Sequence, residues 1–412
     1  MKMSLKLNSI NREVFDAKDA EEYKVSLNSQ TLSRKEIVAT GRLIAAEYCG
    51  SKINETPRSE KYVSRLNGIR YGDLSRSFNE KKFLFCAAQA YKAKGMEPES
   101  DFNIVKNDLS LSRDQTFLAT MAAIDRDVLQ PLLFRVYDDI STGGLMQWES
   151  VPFGGTKEIT VRSNDVFLFE DSSWGSGRSA SYNYLYAKTI TLNPKMYACQ
   201  AKIKWYQDVV NGDPGNYYAA IMGGMWNKIY AIFMSQLTSA ATNTTYIPTA
   251  LTASTYSSEN WNSITTKVAA VNGVRRQDLV AFGTINVLSN ILPTDGSGAA
   301  IVGLQYGLGE EWFRRGFLPN ASGVQLIEVL PVVVPGTQNT TVSTIDTGDN
   351  IFIAAKGGYG YAPIYGGYYE GSPIMLTATP SETADFTIDI NAGAMMDFKT
   401  VFASKVGVIT NA

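Results

Sequence analysis

A chain of 412 residues with 44% apolar and 19% charged residues is not a disordered one. It also exceeds the roughly 250 to 300 residues at which a single core usually stops growing, so two or more packed regions are expected. The formal net charge of -2 leaves no broad basic face for phosphate contacts, so any contact with DNA is expected to be local and non-specific. The chain contains no histidine, the side chain most used for acid-base work and transition-metal ligation near neutral pH.

Cys49, Cys86 and Cys199 stand far apart in no CxxC pair, which predicts free, reduced thiols and no metal or other cofactor. The opening MKMSLKLNSI has no apolar h-region, so no signal peptide is expected and assembly is expected in the cytoplasm. Charge is uneven along the chain. Residues 1–140 hold 22 Lys+Arg and 20 Asp+Glu, about 30%, whereas the remaining 272 residues hold 16 and 20, about 13%.

In the charged region helical spacing recurs at Ile37, Ile44 and Tyr48, at Phe78, Leu84, Phe85 and Ala88, and at Phe117, Met121, Ile124 and Leu129. Ser33 and Ser110 are placed as N-caps, and Pro131 is expected to kink or end the third helix. Residues 1–144 therefore read as a helical N-terminal arm or domain, closed by Gly143-Gly144. Residues 145–206 then read as one long two-stranded excursion, with Lys157–Val161 going out and Ala187–Leu192 coming back around a turn-forming tip, Asp171–Arg178. Each arm of on the order of 25 residues could reach some 80 Å at about 3.3 Å per residue. Isolated two-stranded hairpins are marginal in water, so this one is expected to lie on a neighbouring subunit.

From Pro214 to about Ala240 the pattern is helical, with Ile221, Met225, Ile229, Ile232 and Phe233 on one side. Lys228 and Asn227 within the segment and Gly223-Gly224 argue for a buried helix over a membrane span. Residues 207–244 are assigned to this helix and 245–345 to a compact α/β region. In the latter, Asn260–Val271 reads as a helix, Asp278–Phe282 as a buried strand, Thr284–Ile291 as a helix, and Val324–Val334 as a strand interrupted by Pro331. Residues 346–412 read as β-strands at Asn350–Ile353, Ile374–Thr377, Asp385–Ile390 and Thr400–Ile409. The Gly- and Tyr-dense stretch Gly357–Gly371 reads as a tight aromatic-packed loop, with a ligand-stacking surface as the alternative.

The long helix after Asp213-Pro-Gly215, the segment Asp278–Leu288 and the ending Phe398–Ile409 come in an order that resembles the Hong Kong 97 fold. That fold is shared by major capsid proteins of tailed double-stranded DNA phages and by cellular encapsulins. The resemblance covers about Leu145 to the C-terminus. It implies an α+β chain with an extended hairpin loop, a long spine helix with peripheral β-strands, and an axial α/β domain. The enlarged helical N-terminal arm or domain departs from the pattern. Encapsulins resemble the fold with a much shorter N-terminal region, which favours the phage. The resemblance further implies a non-enzymatic virion subunit that forms pentamers and hexamers of an icosahedral capsid, with portal, scaffolding and accessory head proteins and packaged double-stranded DNA as partners, and no membrane.

Expected inter-subunit contacts are Phe153, Lys157, Arg162, Trp174 and Arg178, and expected hinges are Gly143, Gly144, Gly154 and Gly155. Two other classes remain. A carboxylate enzyme could use Glu310-Glu311, Asp138-Asp139 or Asp385 and Asp389. A β-rich carbohydrate-binding or tail protein would draw on the Tyr-rich stretch but leaves the long helix and the Asp278–Ile291 segment unexplained.

Overall fold

A computed structural model describes residues 24–27, 30–53, 71–141, 146–162, 187–205, 214–241, 247–291, 316–329, 332–333, 342–343, 350–355, 362–370, 374–381, 387–401 and 406–410. The elements run β1 (Lys24–Leu27), β2 (Gln30–Ser33), α1 (Arg34–Ile53), α2 (Tyr71–Ala93), α3 (Phe102–Val105), α4 (Gln115–Ser141), β3 (Met146–Val151), β4 (Lys157–Arg162), β5 (Ala187–Leu192) and β6 (Lys195–Lys204). They continue with α5 (Pro214–Ala241), β7 (Thr252–Ala253), α6 (Ser258–Val271), β8 (Leu279–Gly283), α7 (Ile285–Leu288), β9 (Asn320–Ala321), β10 (Val324–Glu328), β11 (Val332–Val333) and β12 (Val342–Ser343). The last strands are β13 (Ile351–Ala355), β14 (Ile364–Tyr369), β15 (Ile374–Pro380), β16 (Thr387–Thr400) and β17 (Gly407–Ile409). Two compact units result, one of residues 1–136, 196–225 and 372–395, the other of 137–195, 226–371 and 396–412. Four of their five boundaries fall inside α4, β6, α5 and β16.

The first unit is built on α1, α2 and α4. Ser33 caps α1 as its hydroxyl accepts the Glu36 N–H at 3.2 Å, as the sequence predicts. Ile37, Ile44, Phe78, Phe85, Phe117, Ile124 and Leu129 are buried, while Leu84 is half-buried and Phe83 takes its place inside. Each such side chain contributes about 1.5–3 kcal/mol of apolar burial. A Cβ on Gly41 would come within 2.7 Å of Val128 and 2.9 Å of Phe78, so the missing side chain sets how closely α1 nears its neighbours. Phe83, Phe102, Phe117 and Trp205 form a ring cluster with centroids 5.7–6.4 Å apart, and the Trp205 indole donates to Lys106 O at 2.8 Å.

Two local expectations are corrected here. Ser110 does not cap the long helix: it lies in a 3-10 turn, Leu109–Arg113, whose cap is Asp108, and the Asp114 carboxylate accepts the Phe117 N–H of α4 at 2.9 Å. Asp was the better cap and stood four residues nearer the apolar run. Nor does Pro131 end α4, which runs on to Ser141. A proline has no N–H for the carbonyl four residues back, here Asp127 O. The Arg42 guanidinium of α1 supplies it instead, with Nε and Nη2 donating to Asp127 O at 3.0 and 2.9 Å. Tertiary contact thus repairs the break that local sequence announces.

At the centre of this unit Lys82 Nζ forms an ion pair with Asp125, and the Tyr218 hydroxyl donates to the same Asp125 Oδ1 at 2.5 Å. The Lys82 and Asp125 side chains are only 7% and 2% exposed, so each buried charge depends on the other for its counter-charge. Burial pushes the nearby Cys86 thiol up to about 12. These contacts place the helices of residues 71–136 around the first turns of α5.

The second unit holds a mixed sheet in the order β7-β17-β13-β8-β10-β9. β8 pairs parallel with β10 and antiparallel with β13, and β17 pairs antiparallel with β13 and parallel with β7. Every residue of β8 and β13 is buried, as suits central strands. α6, capped by Ser257, lays Trp261, Ile264 and Val268 into this core. A Cβ at Gly407 would sit 2.6 Å from Val268 and 2.8 Å from Ile264, so only glycine lets β17 pass under the helix. β13 and β17 belong to this sheet, although their sequence position suggests grouping with the closing strands. β10 ends at Glu328 and β11 covers Val332–Val333, while Pro331, expected to interrupt a strand there, lies outside the described residues.

The Gly- and Tyr-rich stretch is the largest departure from the predicted elements. Ile364–Tyr369 is not a loop but strand β14, buried along most of its length. It pairs parallel with β3 and antiparallel with the last part of β16, Met396–Thr400. The first part of β16 pairs with β15 in the other unit. Among the described residues no helix is long and apolar enough to cross a membrane.

Candidate functional site

A chain expected to work by contact with its own copies is judged by the surface elements that its core does not use. The foremost is the ribbon of β4 and β5, which pair antiparallel from Lys157↔Leu192 to Arg162↔Ala187 and with no other strand among the described residues. Over Lys157–Val161 and Ala187–Leu192, side chains are exposed or half-buried except Val161 and Leu192. The excursion is shorter than expected, because β3 and β6 pair with β14 and β16 instead of with each other. The described part of the ribbon has six residues in each strand, about 20 Å at about 3.3 Å per residue.

The root of the ribbon is firmly built. Trp148 of β3 lies across Gly366 of β14, where a Cβ would be 2.7 Å from the indole, and meets Phe398 of β16 edge-on at 5.5 Å. The glycine leaves room for two aromatics to close over the strand between them. Leu192 and Val151 pack in the same way at Gly367, with 3.2 and 3.3 Å to the position of its missing Cβ. Asp397 accepts the backbone N–H of Asn193 at 2.8 Å and that of Phe398 at 2.9 Å, which ties the returning arm to β16. Its carboxylate is 3.8 Å from Lys399 Nζ. None of Trp148, Gly366, Gly367 or Asp397 was marked by sequence spacing, since their partners lie about 200 residues away.

Of the expected contact residues, Phe153 is 66% exposed, with its ring 5.4 Å from Tyr369. It sits in a turn in which Gly155 N–H donates to Pro152 O at 2.9 Å and Gly154 has φ +74°, a left-handed conformation that glycine adopts without strain. Lys157 is engaged within the chain, donating to Glu149 at 2.8 Å. Arg162 pairs by its backbone with Ala187. Trp174, Arg178, Gly143 and Gly144 lie outside the described residues, as do the ribbon tip, Asp385 and Glu310-Glu311. The structure thus brings Phe153, Gly154, Gly155 and Lys157 together at the ribbon root.

Among the described residues no group of three or more Cys, Asp or Glu is placed to hold a metal ion. Of the tyrosines in β14, Tyr365 and Tyr369 are buried and Tyr368 is half-buried.

No family model and no curated protein matches the sequence. Among solved structures the fold is similar to one from Microbacterium phage Oxtober96, with a TM-score of 0.42 and 11% identity over 65% of this chain and 90% of that one. It is similar to the capsid of the cyanophage P-SCSP1u, at 0.42 and 11% over 65% and 86%. A third is the mature capsid of bacteriophage PhiM1, at 0.41 and 10% over 65% and 86%. Two of the three are phage capsids by name, the class that the sequence resemblance names. At these TM-scores and identities the functional argument rests on this chain's own residues.

Proposed function

We propose that the chain is a structural shell subunit, the major coat protein of a tailed double-stranded DNA phage, whose copies join into pentamers and hexamers of an icosahedral capsid. The observation that carries this reading is the β4–β5 ribbon: two strands that, among the described residues, pair only with each other, mostly exposed or half-buried, on an aromatic-packed root. A ribbon of that kind has too little buried surface to hold itself out in water, and a neighbouring subunit supplies what it lacks. Phe153, Arg162, Trp174 and Arg178 are its contacts in this reading, with Lys157 braced against Glu149. The glycines at 143–144 and 154–155 let one chain fit five-fold and six-fold surroundings by small rotations.

The order of elements supports the same reading: helical region, ribbon, long helix, α/β sheet, closing strands. The work is mechanical. Portal, scaffolding and accessory head proteins complete the particle, and packaged DNA meets the inner surface through weak non-specific contacts.

The test is sedimentation of the purified chain with electron microscopy of the fastest fraction. Rings of five or six, or closed shells, are expected, and replacing residues 158–191 by a short Gly-Ser turn, which keeps Lys157 and Leu192 at the root, should abolish them while leaving a folded monomer. A chain that stays monomeric at every concentration, with candidate scaffolding partners added, overturns the proposal.

A further inference from the structure

The two arms of the ribbon leave its root in different ways. Between β3 and β4 the chain takes five residues, Pro152–Thr156, two of them glycines, and a Cβ on Gly154 would meet nothing within 4 Å. Between β5 and β6 it takes two, Asn193 and Pro194, and Pro194 is buried. The proline fixes its own φ and confines Asn193 to extended backbone, so this corner has little freedom of its own. Pro194 has no N–H, which leaves that of Asn193 as the single main-chain donor of the corner.

The donor is taken by a residue 204 positions away. Asp397 Oδ2 accepts it at 2.8 Å, while Oδ1 of the same carboxylate accepts the N–H of Phe398 at 2.9 Å. Asp397 is 8% exposed, and a carboxylate so placed costs desolvation that its hydrogen bonds must offset. It stands in β16 opposite Gly367 of β14, the glycine whose absent side chain admits Leu192 at 3.2 Å. One rung of the sheet therefore fixes both the last residue of β5 and the donor that follows it. The outgoing arm is held more loosely. Its ion pair, Lys157–Glu149, joins two side chains of which Lys157 is 35% exposed, and pairs of that kind contribute little.

We infer that the Asn193–Pro194 corner is the fixed axle of the ribbon, and that Asp397 is the positioning residue that sets the direction in which the ribbon leaves the sheet. The glycines of the outgoing turn take up the slack. In an assembling chain that direction sets the rotation between neighbours, and the rotation decides whether head-to-tail contacts close into a ring or shell of one size. Without the pin the ribbon samples several directions, and copies still join but close irregularly. This inference rests on the shell-subunit reading and adds which residue fixes the geometry.

Two measurements on the full chain test it, one of them independent of assembly. In the unassembled chain, hydrogen exchange of the peptide over residues 187–195 is read by mass spectrometry. Its slowest amide is expected to exchange about tenfold faster in Asp397→Ala, and to stay within about threefold of the original in Asp397→Asn, which keeps an oxygen acceptor. Peptides over β8 and β13 should keep their protection in both variants. If they lose it in Asp397→Ala, Asp397→Ser takes its place as the milder change. In assembled material, electron microscopy is expected to show rings or shells of mixed diameter for Asp397→Ala and of one diameter for the original and Asp397→Asn. Unchanged exchange over 187–195 overturns Asp397 as the pin. Faster exchange with particles of a single diameter overturns the link from ribbon direction to closure and leaves the shell reading standing. If the original chain never assembles, the shell reading falls and this inference falls with it.

Discussion

The two hydrogen bonds from Arg42 to Asp127 O make Pro131 tolerable in the middle of α4, and that pairing can be measured by a double-mutant cycle. Hydrogen bonds from a charged donor contribute about 1.5–3 kcal/mol, and this half-buried pair belongs at the lower end. Arg42→Met leaves the carbonyl without either donor and also removes attraction to the Asp127 side chain, so a loss of about 2 kcal/mol is expected. In Pro131→Ala the new N–H of residue 131 reaches the same carbonyl, and the same Arg42→Met change should then cost about 1 kcal/mol. The attraction to the Asp127 side chain is present in both backgrounds and cancels, so the coupling of about 1 kcal/mol reports the shared carbonyl alone. Urea unfolding followed by circular dichroism at a concentration below assembly measures all four forms. Strict additivity, within about 0.3 kcal/mol, would refute the idea that Arg42 substitutes for the missing proline N–H.

The remaining predictions concern the core, the ribbon root and acid stability. Lys82→Met strands Asp125 in the interior and should cost about 3–5 kcal/mol, whereas Lys82→Met/Asp125→Leu should cost much less; equal losses in the urea midpoint would argue against a mutually dependent pair. Gly366→Ala forces a Cβ against the Trp148 ring and should destabilise by about 1–3 kcal/mol, while Gly224→Ala, exposed on α5 with nothing within 4 Å, should stabilise by up to about 1 kcal/mol. For acid stability, burial raises the Asp108 and Asp114 carboxyls, but hydrogen bonds from Ser110 and Tyr91 to the first, and from Lys94 and Phe117 N–H to the second, outweigh it and hold both below the ordinary 3.8. A depressed folded pKa gives stability that is complete above the unfolded value and is lost as the pH falls through the folded one. Melting temperature should therefore drop below about pH 4, and Asp114→Asn should flatten that limb; an unchanged acid limb in the variant would remove Asp114 from the account.

Local sequence determined most of the helices and several strands of this protein. Period-3.6 apolar positions such as Ile37 and Ile44, or Phe117, Met121 and Ile124, mark faces that only a helix can bury together, and a cap such as Ser33 or Ser257 acts within three residues. The ribbon strands were legible for the same reason, since Lys157–Val161 and Ala187–Leu192 alternate over a short range. What sequence spacing could not carry was every decision made across distance. Pro131 stays inside α4 because a guanidinium 89 positions earlier replaces its hydrogen bond. Ile364–Tyr369 becomes a strand because Trp148 and Phe398 cover glycines that by themselves signal a turn. Nothing in local spacing marks Lys82 and Asp125, which packing turns toward each other and toward Tyr218. Propensity and periodicity act over a few residues, whereas hydrogen-bond satisfaction and close packing are settled by whichever residues the fold brings near, and those override the local preference wherever a buried polar group or a tight contact is at stake.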